Sequence, residues 1–280
     1  MIRFAEQPLT VGKIWRAGFG VYRATFAKVW HLAFILGVIT SLMLFVVGMS
    51  PQSRSLLGHH VLAIVIGVLL LIALFLILFY FGLLLLDRIY RLIIAADDSL
   101  KNSHQRAVKK YWPCVLAVIS AMLIAIGILL IVSLFFLAFS WLFHAKYWVA
   151  TTLLVILAVP AICAFALAAL VPTFVAPSIL LDQASAWAAI KISWRLIWGN
   201  YWRIAAGFLL PLQIVLLPLI ALRVFAMLHP DNLLLLYWYY VAYAIFGAFL
   251  IVPLKVSLIL VQFNDLKLRR DMMRTWVSKK

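Results

Sequence analysis

Residues 61–86 read VLAIVIGVLLLIALFLILFYFGLLLL, an unbroken apolar run without charge or proline. A helix needs about 20 such residues to cross the ~30 Å hydrocarbon core of a bilayer. The apolar residues are continuous rather than alternating. That pattern favours helices over the strands of a membrane barrel. Five further runs of comparable character occur. The predicted spans are 29–49, 61–86, 113–140, 148–176, 201–227 and 235–262. The fold class expected is all-α, a polytopic membrane bundle forming a single integral membrane domain.

Composition agrees. Hydrophobic residues make up 68% and charged residues 11% of the 280. Soluble domains carry roughly 25% charged residues, so water could not solvate the surface this chain would expose. In lipid every backbone polar group must be satisfied internally, which leaves helices. The net charge of +16 is gathered in short segments between the apolar runs. It therefore points to topology and anionic headgroups, not to nucleic acid.

The segments 1–28, 87–112, 177–203 and 263–280 hold 5, 6, 3 and 6 Lys/Arg, whereas Arg54, Lys146 and Arg223 are alone in the other three loops. The positive-inside rule predicts that both termini are cytoplasmic. Residues 1–28 have no apolar core, so the first span is expected to direct insertion. Trp30, Trp112 and Trp202 are expected at the inner interface, and Trp141, Trp148, Trp238 and Tyr239 at the outer one. Pro160, Pro172, Pro211, Pro218 and Pro253 are expected to kink the spans.

The inner segments are amphipathic. Val11, Ile14, Trp15, Phe19, Tyr22, Phe26 and Val29 share one helical arc, opposite Lys13, Arg16, Arg23 and Lys28. Trp187, Ile190, Trp194, Ile197, Trp198 and Tyr201 oppose Lys191, Arg195 and Arg203, while Val108, Tyr111 and Trp112 oppose Arg106, Lys109 and Lys110. A basic face beside a Trp/Phe face suits a helix lying in the headgroup plane. These ten cations are the candidate contacts for anionic lipid. The alternatives are simple anchoring of the spans or a platform for a membrane or envelope protein partner.

The segments also align with one another. Phe19, Phe26 and Lys28 match Trp194, Tyr201 and Arg203, and Tyr111-Trp112 matches Tyr201-Trp202. Each even-numbered span ends near an aspartate: Asp87, Asp182 or Asp265. The expected unit is an interfacial helix, a hairpin of two spans and an Asp, repeated three times. Carboxylates are disfavoured at helix C-termini, so a collar of Asp–Arg pairs is expected. In it Arg91 meets Asp87 at i,i+4 and Asp182 caps the following helix. Lys255 is the basic residue placed within a span. It either snorkels to the inner interface or faces the bundle interior, where a span-end aspartate could pair with it.

Val171-Pro172, Pro177, Asp182, Ala188-Ala189-Ile190-Lys191, Ser193-Trp194-Arg195-Leu196 and Gly199-Asn200-Tyr201-Trp202-Arg203-Ile204 form a connected pattern. It resembles bacterial six-span proteins of the YciC type and the membrane domain attached to some glycerophosphoryl diester phosphodiesterases. Gln262 to Arg270 and Leu9 to Trp30 carry the same resemblance. Asp182 stands where that family more often has Glu. The resemblance implies a bundle in a bacterial inner membrane, linked to envelope lipids and without phosphodiesterase chemistry.

No GxSxG, Walker A, CxxC or HExxH motif occurs, and no catalytic residue or cofactor is expected. His59, His60, His144 and His229 lack metal-ligand spacing, so no metal is expected. Cys114 and Cys163 sit in apolar runs, where no disulfide is expected. Ala161, Ala164, Ala168 and Ala169 predict close packing of the fourth span, and Gln213 an interhelical hydrogen bond. The function expected is a non-catalytic membrane protein that contacts anionic lipid or scaffolds a partner. The alternative is a transporter or flippase-like carrier of an amphipathic substrate, in which a cavity reaches Lys255.

Overall fold

The computed structural model describes residues 7–49, 60–94, 99–142, 170–207, 220, 224 and 233–278. Among these residues all regular structure is helical. Helix α1 spans Val11–Met49, α2 His60–Ile94 and α3 Leu100–Leu142. Helix α4 spans Leu170–Leu181, α5 Ala186–Ile197, α6 residues 201–207 and α7 Leu233–Ser278. Four stretches are long and apolar enough to cross a bilayer: Val11–Met43, Val65–Ile94, Leu100–Ile128 and Phe249–Met272. The protein is therefore an all-helical membrane protein. The alanine face of the fourth span, Gln213, Cys163 and His59, His144 and His229 lie outside the described residues.

One correction concerns the interfacial helices. The first two amphipathic stretches are not separate elements. Helix α1 runs through 11–28 into the first span, and α3 through 100–112 into the third. At 1.5 Å per residue their lengths are about 58 and 65 Å, roughly twice the hydrocarbon thickness. The third copy does break, between α5 and α6, at Trp198-Gly199-Asn200. Gly199 has φ +85°, the left-handed region that favours glycine. The aligned pairs are Ala24-Thr25 and Lys109-Lys110, which any helix tolerates. Pro113 and Pro253 lie inside α3 and α7 without ending them.

Gly199 thus has a testable role. Gly199→Ala should lower stability by ~1 kcal/mol, the cost of left-handed backbone for an L-residue. Gly20→Ala should not, because a Cβ there meets nothing within 4 Å. Unfolding in mixed micelles measures both.

The chain divides into two compact units, Met1–Lys109 with Trp202–Lys280, and Lys110–Tyr201. In the first, α7 is central. From Pro253 to Phe263 every residue except Lys255 is buried. A helix apolar all round is a core helix, so this part of the sixth apolar run faces protein. Helix α1 packs antiparallel along α7, and α2 packs against both. Gly18 lies on Leu258, and a Cβ there would overlap the leucine side chain. The rings of Phe26 and Phe249 meet edge to face at 5.2 Å. A Cβ on Gly37 would come within 2.8 Å of the Ile245 carbonyl oxygen. Small residues that let backbones approach are the usual means of helix association in lipid.

In the second unit, Cys114, Val118 and Ala121 of α3, Phe174 and Ile179 of α4, and Ala189, Ile190 and Ile197 of α5 are buried. Helix α4 closes around Gln183, φ +53°, with Ala184 N–H donating to the Ser178 carbonyl at 3.3 Å. This is a left-handed helix cap with glutamine in the usual glycine position. A second correction follows. Ser185, not Asp182, caps α5: its hydroxyl accepts the Ala188 N–H at 3.4 Å. The serine has the extended backbone of an N-cap residue, whereas Asp182 lies before the turn at Gln183.

Candidate functional site: two buried carboxylates and a basic layer

Two of the three span-end aspartates are buried to 1% exposure, and both are ion-paired. Asp87 Oδ2 accepts from Arg106 Nη2 at 2.9 Å and from its Nε at 3.1 Å. Arg106 also donates to the Ser103 hydroxyl at 3.2 Å. Arg91, the partner expected from spacing, stands at 3.8 Å. Forked arginine–carboxylate contacts are the stronger form of this bond. Arg106 therefore leads, and its position on another helix hid the pairing from i,i+4 reasoning.

Asp265 is held more fully. Its Oδ2 accepts from Arg203 Nε and from Arg269 Nε, each at 3.1 Å. Its Oδ1 accepts the Leu9 N–H at 2.6 Å, and Arg269 Nη2 donates to the Leu9 carbonyl at 2.9 Å. The pair Asp265–Arg269 thus grips both main-chain polar groups of Leu9, two residues before the start of α1. Burying a carboxylate without such partners would be prohibitive. Gln262, one turn earlier, is buried against Gly207, where a Cβ would overlap its amide. The sequence held no signal for this contact beyond one amide at the end of an apolar run. Asp182 is half-buried at the end of α4.

The ten candidate headgroup cations fall into two sets. Arg106 and Arg203 are engaged on buried aspartates, which is a structural use. Lys13, Arg16, Arg23 and Lys28 are exposed on α1, as are Lys109, Lys191 and Arg195 on α3 and α5, and Lys110 is half-buried. None of these eight meets a carboxylate among the described residues. Lys191 lies over the Trp187 ring at 5.8 Å.

The α1–α7 register locates Lys255. Gly18 is level with Leu258 and Phe26 with Phe249, so Lys255 is level with the turn around Tyr22 and Arg23. It is exposed, not turned into the bundle. It also lies ten residues, about 15 Å, from Asp265, which excludes a pair between them. The same register corrects the inner aromatic belt. Trp202 adjoins Arg203 and hence the level of Leu9, while Trp30 lies about 30 Å farther along α1. One membrane face cannot pass through both. Both are exposed, as is Trp112.

In the second unit, Lys191 and Arg195 stand at the edge of a pocket of about 360 Å³, whose remaining wall is Ala121, Ile124, Val171, Ile190 and Trp194. On α5 Ala189, Ile190, Leu196 and Ile197 are buried, while Trp187 and Trp194, and Trp198 at its C-cap, are exposed. Trp194 and Trp198 stack at 5.9 Å. Among the described residues no group of three or more His, Cys, Asp or Glu is placed to hold a metal ion.

The chain matches no known family, no curated protein and no solved structure.

Proposed function

We propose that this is a non-catalytic integral protein of a bacterial inner membrane that holds anionic phospholipid headgroups in a basic layer on its cytoplasmic side. The proposal includes six spans in three pseudo-repeats and cytoplasmic termini. The aligned starts of the first and third inner helices support the repeats: Thr10 and Ser185 each accept a helical N–H on the backbone carbonyl, from Ile14 and Ala189. The two paired carboxylates are equivalent as well, each with an arginine at i+4 and another from a different helix. The likeness to YciC-type proteins fits this reading.

The observation that carries the lipid role is the division among the cations. Arginines needed for folding lie on aspartates. Lys13, Arg16, Arg23, Lys28 and Lys255 remain exposed along one membrane-proximal stretch, with Phe19 and Trp30 exposed beside them. Each charge at hydrocarbon depth would cost ~2.5–3.5 kcal/mol. Each near an anionic surface contributes ~1 kcal/mol instead. On this placement the basic stretch of α1 lies in the headgroup region and the first span follows it.

Protein excised in polymer-bounded discs from membranes of mixed phosphatidylglycerol and phosphatidylethanolamine should carry more phosphatidylglycerol than the bulk. Lys13→Gln, Arg16→Gln, Arg23→Gln and Lys28→Gln together should lower that enrichment several-fold, and reconstitution in molar salt should do the same through screening. Equal lipid composition for disc and bulk would refute the proposal.

An alternative placement has one observation in its favour. If Trp202 and Asp265 mark the inner face, the basic stripe of α1 and Lys255 lie at hydrocarbon depth and must line water. That is the arrangement of a carrier for an anionic amphipath. Thiol labelling of Ala24→Cys and Ala27→Cys distinguishes the two. A membrane-impermeant reagent reaching them only from the cytoplasmic side, unaffected by any transported substrate, supports the headgroup layer.

A further inference from the structure

We infer that the pocket beside α5 is a discrete site for one anionic phospholipid, with an acyl chain against its apolar wall and the phosphodiester between Lys191 and Arg195. This deepens the lipid-contact proposal, since that proposal concerns the annulus and this one a single retained molecule. Its volume of about 360 Å³ lies at the low end of ligand pockets, enough for part of one chain and not for a whole lipid. Among the described residues the wall apart from Lys191 and Arg195 is carbon and one indole.

Charge identifies the occupant. Lys191 and Arg195 are one turn apart on α5, so both reach the same point above the pocket edge. Neither is neutralised by a carboxylate among the described residues, in contrast to Arg106 and Arg203. A neutral amphipath would leave two adjacent cations uncompensated, and a free phosphate would leave the apolar wall unfilled. An anionic phospholipid satisfies both. The depth agrees: Ala121 and Ile124 lie about two and a half to three turns beyond Trp112 on α3, on the hydrocarbon side of an exposed tryptophan. The exposed Trp194 and Trp198 flank the same edge, where indoles favour the headgroup region.

Native mass spectrometry of the full-length protein in a mild detergent, titrated with dioleoyl phosphatidylglycerol, tests this. One lipid should be retained per chain at concentrations where annular lipid has been stripped. Dioleoyl phosphatidylcholine and free glycerol phosphate should each bind at least tenfold more weakly. Lys191→Gln with Arg195→Gln should weaken retention at least tenfold. Ile124→Trp, which fills the pocket and leaves the charges intact, should do the same. Lys13→Gln with Arg16→Gln should not. Ile124 is 43% exposed, so its replacement does not disturb the buried core, and helical circular dichroism confirms folding of each variant. Equal retention of phosphatidylcholine, or retention unchanged by both pocket variants, overturns the site. Loss of this one lipid with phosphatidylglycerol still enriched in discs would refute the site alone. Absence of enrichment with the single lipid retained would refute the annular layer alone.

Discussion

Asp265→Asn is expected to destabilise the protein by about 3 kcal/mol, more than the same change at Asp87. Removing one member of a buried ion pair costs ~3–5 kcal/mol, because the remaining charge loses its compensation. Arg203 and Arg269 are 20% and 30% exposed, so water recovers part of that loss and the lower end applies. Asparagine keeps an oxygen for the Leu9 N–H but leaves two guanidinium groups without a counter-charge. At Asp87 the main loss is the forked bond to Arg106, 31% exposed, and about 2 kcal/mol is expected. Reversible unfolding in mixed micelles gives the order directly. An Asp87→Asn loss as large as that of Asp265→Asn would overturn the ranking.

The second large effect is steric. Gly37→Leu should destabilise by about 3 kcal/mol or separate α1 from α7 altogether. The obstacle is the Ile245 carbonyl, 2.8 Å from where a Cβ would stand. Backbone cannot rotate away as a side chain can, so the helices themselves must part. Overpacking typically costs 1–3 kcal/mol, and a leucine adds three carbons beyond the Cβ. Gly67→Leu on α2 is the control. A Cβ there meets nothing within 4 Å, and glycine is the poorer helix former by up to ~1 kcal/mol. That variant should be as stable as the parent or slightly more so. Crosslinking yield between cysteines introduced at Ile14 and Val261 would report the separation in Gly37→Leu.

Helix existence was legible in the sequence because apolar runs the length of a bilayer permit little else. Depth was not. The run 235–262 has the composition of a lipid-facing span, yet from Pro253 onward every residue of it but Lys255 is buried in protein. Both solvents, lipid and core, select the same residues. Only the antiparallel match of Gly18 and Phe26 to Leu258 and Phe249 shows where Lys255 lies. The carboxylates were legible as a set, since an aspartate after each apolar run needs explanation. Their partners were half legible. Arg91 and Arg269 follow by i,i+4 spacing, but Arg106 and Arg203 come from other helices and carry the same signature as a headgroup contact. The main-chain grip on Leu9 had no sequence signal at all, because any residue supplies an N–H and a carbonyl. The break at Gly199-Asn200 was not legible from periodicity, because the helical arc from Trp187 to Tyr201 runs straight across it; only the glycine, which the aligned Ala24-Thr25 and Lys109-Lys110 lack, marks the place.

The hold of Asp265 and Arg269 on Leu9 joins residues 256 and 260 apart in the chain. A ribosome adds ~5–20 residues per second, so the opening helix stands in the bilayer for many seconds before its clamp exists. Throughout that interval the glycine-lined face of α1 lacks its mate and is open to any other small-faced helix nearby. A nascent chain halted before α7 would therefore display a sticky, unfinished surface to the cell's membrane proteases. This unit is secured only when α7 returns to α1.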